Sequence, residues 1–191
     1  MSDVKSVLFV GVGGQGTILA SKILTIGLIE NGYDVKMSEV HGMSQRGGSV
    51  STQVRFGSKV YSPIIGEGSA DILVSFEEME AARYAKFLKK DGKMVVNTSR
   101  IPSMPILSGA CQYPEGILEA LKEQVPVMAL DATQIASDLG NPKSANVVLL
   151  GALIQAMDLH TIDWKSIIAK TVKKNFVDIN LKAFEAGMAA V

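Results

Sequence analysis

The chain has 191 residues, enough for one domain with a real apolar core, and its 19 Lys and Arg balance 19 Asp and Glu to a net charge of zero. That balance argues against nucleic acid as a partner, because neutralising phosphates takes a basic surface. The one cysteine, Cys111, excludes an internal disulfide, an iron–sulfur cluster or a cysteine-rich zinc site on this chain.

The apolar fraction of 47% with nine methionines fits either a well-filled α/β core or a surface covered by another protein. The opening residues lack the charged-then-apolar layout of a signal peptide. No apolar run approaches the roughly 20 residues that span a bilayer. The expectation is a cytoplasmic protein with no membrane partner.

Val7-Leu8-Phe9-Val10 is a run of four apolar residues, as in a strand buried on both faces. Gly11-Val12-Gly13-Gly14-Gln15-Gly16 follows at once, and residues from Thr17 to Glu30 repeat at helical spacing up to a C-capping glycine, Gly32. Gly11, Gly13 and Gly16 fit G-x-G-x-x-G in the strand–turn–helix context that gives this motif meaning. Missing side chains let an anion approach the helix N-terminus, or let strand and helix pack closely; both readings stand.

Asp34–Val40 reads as the second strand. It carries Glu39, 23 residues after Gly16, near the place where a dinucleotide-binding fold keeps its ribose-binding acid. Then comes His41-Gly42-Met43-Ser44-Gln45-Arg46-Gly47-Gly48-Ser49, which has neither helical nor strand period. A polar loop at the carboxyl end of a strand is where open α/β sheets bind ligands, and Arg46 can clamp a carboxylate or phosphate with two parallel bonds. The alternative is a glycine-hinged connection with an exposed arginine. His41 has no second ligand near it, so no metal site is expected.

Ser49–Phe56 alternates strictly, as a half-exposed antiparallel strand does, and Val60-Tyr61-Ser62 is predicted to pair back on it as a hairpin. Asp71–Phe76 is a further buried strand. Glu77–Leu88 is a helix with charges on one side, ended by Asp91-Gly92, and Lys93–Thr98 is a strand. Ile106-Leu107 reads as extended, Pro114–Glu123 as a helix, and Val125–Asp131 as a strand that Pro126 places at an edge. Thr133–Leu139 is a short helix. Ala145–Leu159 is apolar nearly all round, and two further helices over 164–176 and 177–190 complete a helical C-terminus. The fold class is α/β, Rossmann-like: a mostly parallel sheet, helices on both faces, an inserted antiparallel hairpin, and one domain over residues 1–191.

There is no G-x-S-x-G, no Walker lysine after the glycines, no H-E-x-x-H and no C-x-x-C. The chain therefore reads as a binding component rather than a self-sufficient catalyst.

Phe9–Gly16 together with Ser38-Glu39-Val40-His41-Gly42-Met43-Ser44-Gln45-Arg46-Gly47-Gly48-Ser49-Val50 resembles the gamma-type subunit or domain of the 2-oxoacid:ferredoxin oxidoreductases. Gly-Met-Ser-Gln-Arg-Gly-Gly is similar to the indolepyruvate branch of that family. The resemblance implies oxidative decarboxylation of an aryl pyruvate with coenzyme A to an acyl-CoA and carbon dioxide, with electrons passing to ferredoxin. It also implies a large partner subunit that carries thiamine diphosphate and the iron–sulfur clusters, with no cofactor on this chain. Candidate ligand contacts are Gly11, Gly13, Gly14, Gln15 and Gly16; candidate substrate or subunit contacts are Ser44, Gln45, Arg46, Gly47 and Gly48. Expressed alone, the chain is expected to form a homodimer. The alternatives are the pyruvate or 2-oxoglutarate branch, or a free-standing NAD(P)-dependent dehydrogenase using the glycines and Glu39.

Overall fold

The computed structural model describes residues 4–41 and 47–191. The run Leu8-Phe9-Val10 lies in strand β1 (Lys5–Val12), which is buried along almost its whole length. Helix α1 (Thr17–Glu30) returns the chain to β2 (Asp34–His41), and β3 (Ser49–Gly57) follows. The remaining strands are β4 (Ala70–Ser75), β5 (Leu88–Asn97) and β6 (Val127–Leu130). They form one sheet in the order β2-β3-β1-β4-β5-β6. Strands β1, β4, β5 and β6 run parallel, while β3 is antiparallel to both β1 and β2.

Alternation along β1 sends Val7 and Phe9 to one face and Leu8 and Val10 to the other, and both faces are covered. On the first face lie α1, α5 (Ala132–Asp138), α6 (Ala145–Ala156), α7 (Trp164–Thr171) and α8 (Val177–Ala189). On the second lie α2 (Glu78–Tyr84) and α4 (Ile117–Lys122), with Ala81, Ile117 and Leu121 packed on Leu73, Met94 and Val96. The chain thus leaves β1 over one face and β4 over the other. That reversal is the topological switch point at which open α/β sheets bind ligands.

Helix α6 is buried from Asn146 to Ile154, as its continuous apolar run predicts, because α1, α5 and α8 surround it. Its contact with α8 is backbone on backbone. A Cβ on Gly187 would lie 1.9 Å from the Val148 carbonyl oxygen, and one on Gly151 would lie 2.1 Å from that of Phe184.

Three expectations change. Val60–Ser62 does not pair with β3, which already has β1 and β2 as neighbours. The outer side chains of β3 hold that segment instead: Arg55 Nη1 donates to the Ser62 and Ile64 carbonyls at 3.1 and 3.3 Å, and Gln53 accepts from Ile65 N at 2.5 Å. Asp91-Gly92 is not a helix end but an irregularity inside β5, where the pairing slips from Ala70–Leu88 to Ile72–Lys93. Residues around Ile106 form one helical turn, α3 (Met104–Leu107), because the Ser103 carbonyl accepts from Leu107 N at 2.9 Å. Pro126 does stand just before the edge strand β6.

Candidate functional site

The glycine turn, Gly13–Gly16, sits at the carboxyl end of β1 on the switch point. Its shape comes from Gln15. The side-chain oxygen of Gln15 accepts from Val12 N at 2.7 Å, and its side-chain nitrogen donates to the Phe76 carbonyl at 2.7 Å. A Cβ on Gly11 would meet both Gln15 Oε1 and Phe76 Cβ at 2.9 Å, so the glycine there makes room for the pin. Gly16 has φ +83°, and its Cβ would lie 2.5 Å from Asn146 Nδ2 on α6. Backbone conformation and close approach both select glycine at that position. Gly14 has φ +108° with open space beside it.

The second glycine block meets the first. Gly13 N donates to the Gly48 carbonyl at 2.8 Å, and Gly47 N donates back to the Gly13 carbonyl at 3.2 Å. These two bonds extend the β1–β3 ladder beyond its last pair, Val12–Ser49. Gly13, Gly14, Gln15, Gly16, Gly47 and Gly48 are therefore one structure. Ser44, Gln45 and Arg46 lie outside the described residues.

The glycine turn is the wall between two clefts. The first, of about 470 Å³, is lined by Gly13, Gly14, Thr17, Glu39, Val50 and Thr52, among others. The second, of about 610 Å³, lies over the carboxyl ends of the parallel strands and includes Gly14, Asn97, Ser99, Thr133, Lys143 and Asn146. Asn97 is buried and fully used: Nδ2 donates to the Phe76 carbonyl and Thr133 Oγ1, both at 3.1 Å, and Oδ1 accepts from Ala132 N at 3.0 Å. Asn146 Nδ2 donates to the Gly16 carbonyl at 3.2 Å, and its Oδ1 is buried with no partner among the described residues.

Glu39 does reach the first cleft, but β3 lies between β2 and β1. A dinucleotide-binding fold puts its second strand directly beside the first. At about 4.8 Å per strand, this acid stands about twice as far from β1 as that geometry provides.

The acids of α2 are the part that sequence reasoning missed. Glu77, Glu78 and Glu80 are all buried, in a stretch that reads in sequence simply as a helix with charges on one side. Glu77 caps α2 by accepting from Glu80 N at 2.9 Å, and also accepts from Ile101 N at 3.2 Å and from the Tyr113 hydroxyl. Burial, and then the bond to Glu77, pushes the Tyr113 phenol well above its ordinary pKa. Glu78 pairs with Arg100, whose pKa that bond raises. Glu80 accepts from Ser49 Oγ at 2.5 Å and from Arg83 Nε at 3.0 Å. Their signal in the sequence is position: acids at the first turn of a helix that starts straight after a buried strand, at the sheet's ligand-binding edge.

His160 lies on the surface 3.3 Å from Asp158. Among the described residues, no three His, Cys, Asp or Glu side chains gather as a metal site, and no helix is long and apolar enough to cross a membrane.

A family model described as pyruvate ferredoxin/flavodoxin oxidoreductase matches residues 6–190. The chain is 41% identical to indolepyruvate oxidoreductase subunit IorB of Pyrococcus horikoshii, over 97% of this chain and 95% of that one. It is 38% identical to the subunit of the same name from Archaeoglobus fulgidus, over 95% and 92% of the two chains. The crystal structure of the gamma subunit of a keto/oxoacid ferredoxin oxidoreductase from Geobacter sulfurreducens superposes with a TM-score of 0.73 at 24% identity, covering 97% of both chains. That likeness is one of fold.

Proposed function

The chain belongs to the pyruvate ferredoxin/flavodoxin oxidoreductase family, and on that premise we propose that it is the small subunit of an indolepyruvate:ferredoxin oxidoreductase. The observation that carries the reading is likeness along almost the full length to subunits of that name, at 38–41% identity. The complex decarboxylates an aryl pyruvate oxidatively in the presence of coenzyme A, releases carbon dioxide and the acyl-CoA, and reduces ferredoxin. Its larger partner subunit holds thiamine diphosphate and the iron–sulfur clusters. One exposed cysteine, Cys111, does not fit a cluster that needs four thiolates, so electron transfer is not assigned to residues of this chain. The protein works in the cytoplasm and forms a single domain over residues 1–191.

The part of this chain is to bind and to position. Gly14, with open space beside it between Gly13 and Gly16, presents bare backbone at the start of α1, whose N-terminal N–H groups favour an anion. Gly47-Gly48 is bonded to that turn, and the turn with these two glycines frames an entry for an anionic group of coenzyme A or of the oxo acid. Arg46 immediately precedes Gly47-Gly48 in the sequence and carries a guanidinium suited to two parallel bonds. Gln15 serves the same site indirectly, by fixing the turn. The separation of β2 from β1 speaks against a free-standing NAD(P)-dependent dehydrogenase.

The test is turnover of the complex reconstituted with its large subunit, using an aryl pyruvate, coenzyme A and an electron acceptor. Arg46→Ala and Arg46→Lys should leave folding intact and cost about tenfold or more in activity, the worth of a charge-assisted bond of about 1.5–3 kcal/mol. Full activity in both variants, with subunit association unchanged, would remove Arg46 from the site. Tight binding of NADH by the chain alone would support the dehydrogenase instead.

A further inference from the structure

Glu80 is 3% exposed and sits in α2, 31 residues after Ser49, where the second glycine block runs into β3. Its carboxylate nonetheless reaches Ser49, the first residue after Gly47-Gly48. We propose that Glu80 is a positioning residue, which holds Ser49 by a buried charge-assisted hydrogen bond and thereby fixes Gly47-Gly48 against the glycine turn. The inference rests on the functional reading of Gly47-Gly48 given above.

Two glycines in succession have no side chains to pack and more backbone freedom to lose than any other pair. Gly47 and Gly48 keep their place through two bonds to the backbone of Gly13. The tether one residue on adds a side-chain bond to that ladder and ties the start of β3 to α2, which packs over β1, β4 and β5. A hydroxyl-to-carboxylate bond is roughly twice as strong as a neutral one. The carboxylate is itself held by Arg83 Nε at 3.0 Å, and the Tyr84 hydroxyl lies 3.4 Å from Ser49 Oγ. The same turn of α2 uses Glu77 and Glu78 to fasten Ile101, Arg100 and Tyr113 beside the second cleft. Helix α2 is thus a common anchor for the two segments that border the site.

The experiment uses the reconstituted complex and four variants: Ser49→Ala, Ser49→Thr, Glu80→Gln and Arg46→Ala. Ser49→Ala should lower kcat/KM by about tenfold or more, the equivalent of about 1.4 kcal/mol or more for a charge-assisted hydrogen bond, through KM more than kcat. Ser49→Thr, which keeps the hydroxyl, should retain at least about half of the wild-type value, and Glu80→Gln should fall between them. In the chain alone, amide hydrogen exchange at residues 47–50 should speed up in Ser49→Ala and Glu80→Gln while β4 stays protected. Wild-type kinetics and exchange in Ser49→Ala, beside a damaged Arg46→Ala, would overturn the tether and leave the functional reading in place. Wild-type activity in all four would overturn both. Equal damage in Ser49→Ala and Ser49→Thr would overturn the role of the hydroxyl.

Discussion

Replacing Gln15 separates a pinned turn from a self-supporting one. Gln15→Ala strips Val12 N of its acceptor at 2.7 Å and removes one donor from the Phe76 carbonyl, which keeps Asn97 Nδ2 at 3.1 Å. Two bonds at about 0.5–1.5 kcal/mol each, with one part-buried N–H left unpaired at about 1–3 kcal/mol, overlap to a loss of about 2–4 kcal/mol. Gln15→Glu is the sharper probe. One oxygen still serves Val12 N, but the other now faces the Phe76 carbonyl, which repels a carboxylate and accepts from a carboxylic acid. The folded state therefore favours the protonated form, and its pKa rises above the ordinary value of about 4.3. A raised pKa gives stability that is present below the unfolded value and lost as pH rises through the folded one. Gln15→Glu should accordingly approach wild type near pH 4–5 and fall away toward pH 7, measured against wild type at each pH. Urea unfolding reads this directly: a loss of about 3 kcal/mol at a slope of about 2–3 kcal/mol/M moves the midpoint by about 1–1.5 M. Midpoints within about 0.2 M of wild type for both variants at pH 7 would refute the pin.

Tyr113→Phe should flatten the alkaline limb of the stability curve. The folded phenol titrates above its unfolded value of about 10, so wild type loses this contribution as pH rises beyond that value, and thermal melts between pH 9 and 11 compare the two. Gly187→Ala should cost about 1–3 kcal/mol, because the new methyl meets the Val148 backbone and no rotamer change relieves it; an unchanged melting temperature would contradict the contact. The chain alone should dimerise, since among the described residues β2 is the outer strand of the sheet, with Met37 and Val40 exposed and Val40 lining the first cleft with Ile18. Light scattering should then find Val40→Lys monomeric, and a monomeric wild type at high concentration would count against association through that edge.

The strands and helices around β1 were legible because buried parallel strands are continuous apolar runs and the glycines stand where strand turns to helix. The all-round apolar character of α6 likewise announced its burial. What stayed hidden depends on partners far away in the chain. Nothing local to Val60–Ser62 tells that β3 already has two neighbours, and nothing local to Glu80 tells that Ser49 waits across the sheet. Gln15 was legible as a member of the motif but not as its fastening, because Phe76 is 61 positions away. The polar side of α2 looks the same in sequence whether it meets water or buried donors.

The central place of β1 has a consequence in time. Strand β1 precedes both of its sheet neighbours in the chain, and β3 is the first of them to be made, so β1 has no partner until the chain has been made through Gly57. At about 5–20 residues per second, the interval between Val12 and Gly57 is about 2–9 s. For those seconds Val7-Leu8-Phe9-Val10 is an unpaired apolar strand with no sheet to join. Slowing synthesis between residues 12 and 57 therefore lengthens the wait of this strand for its first partner, while slowing it later does not.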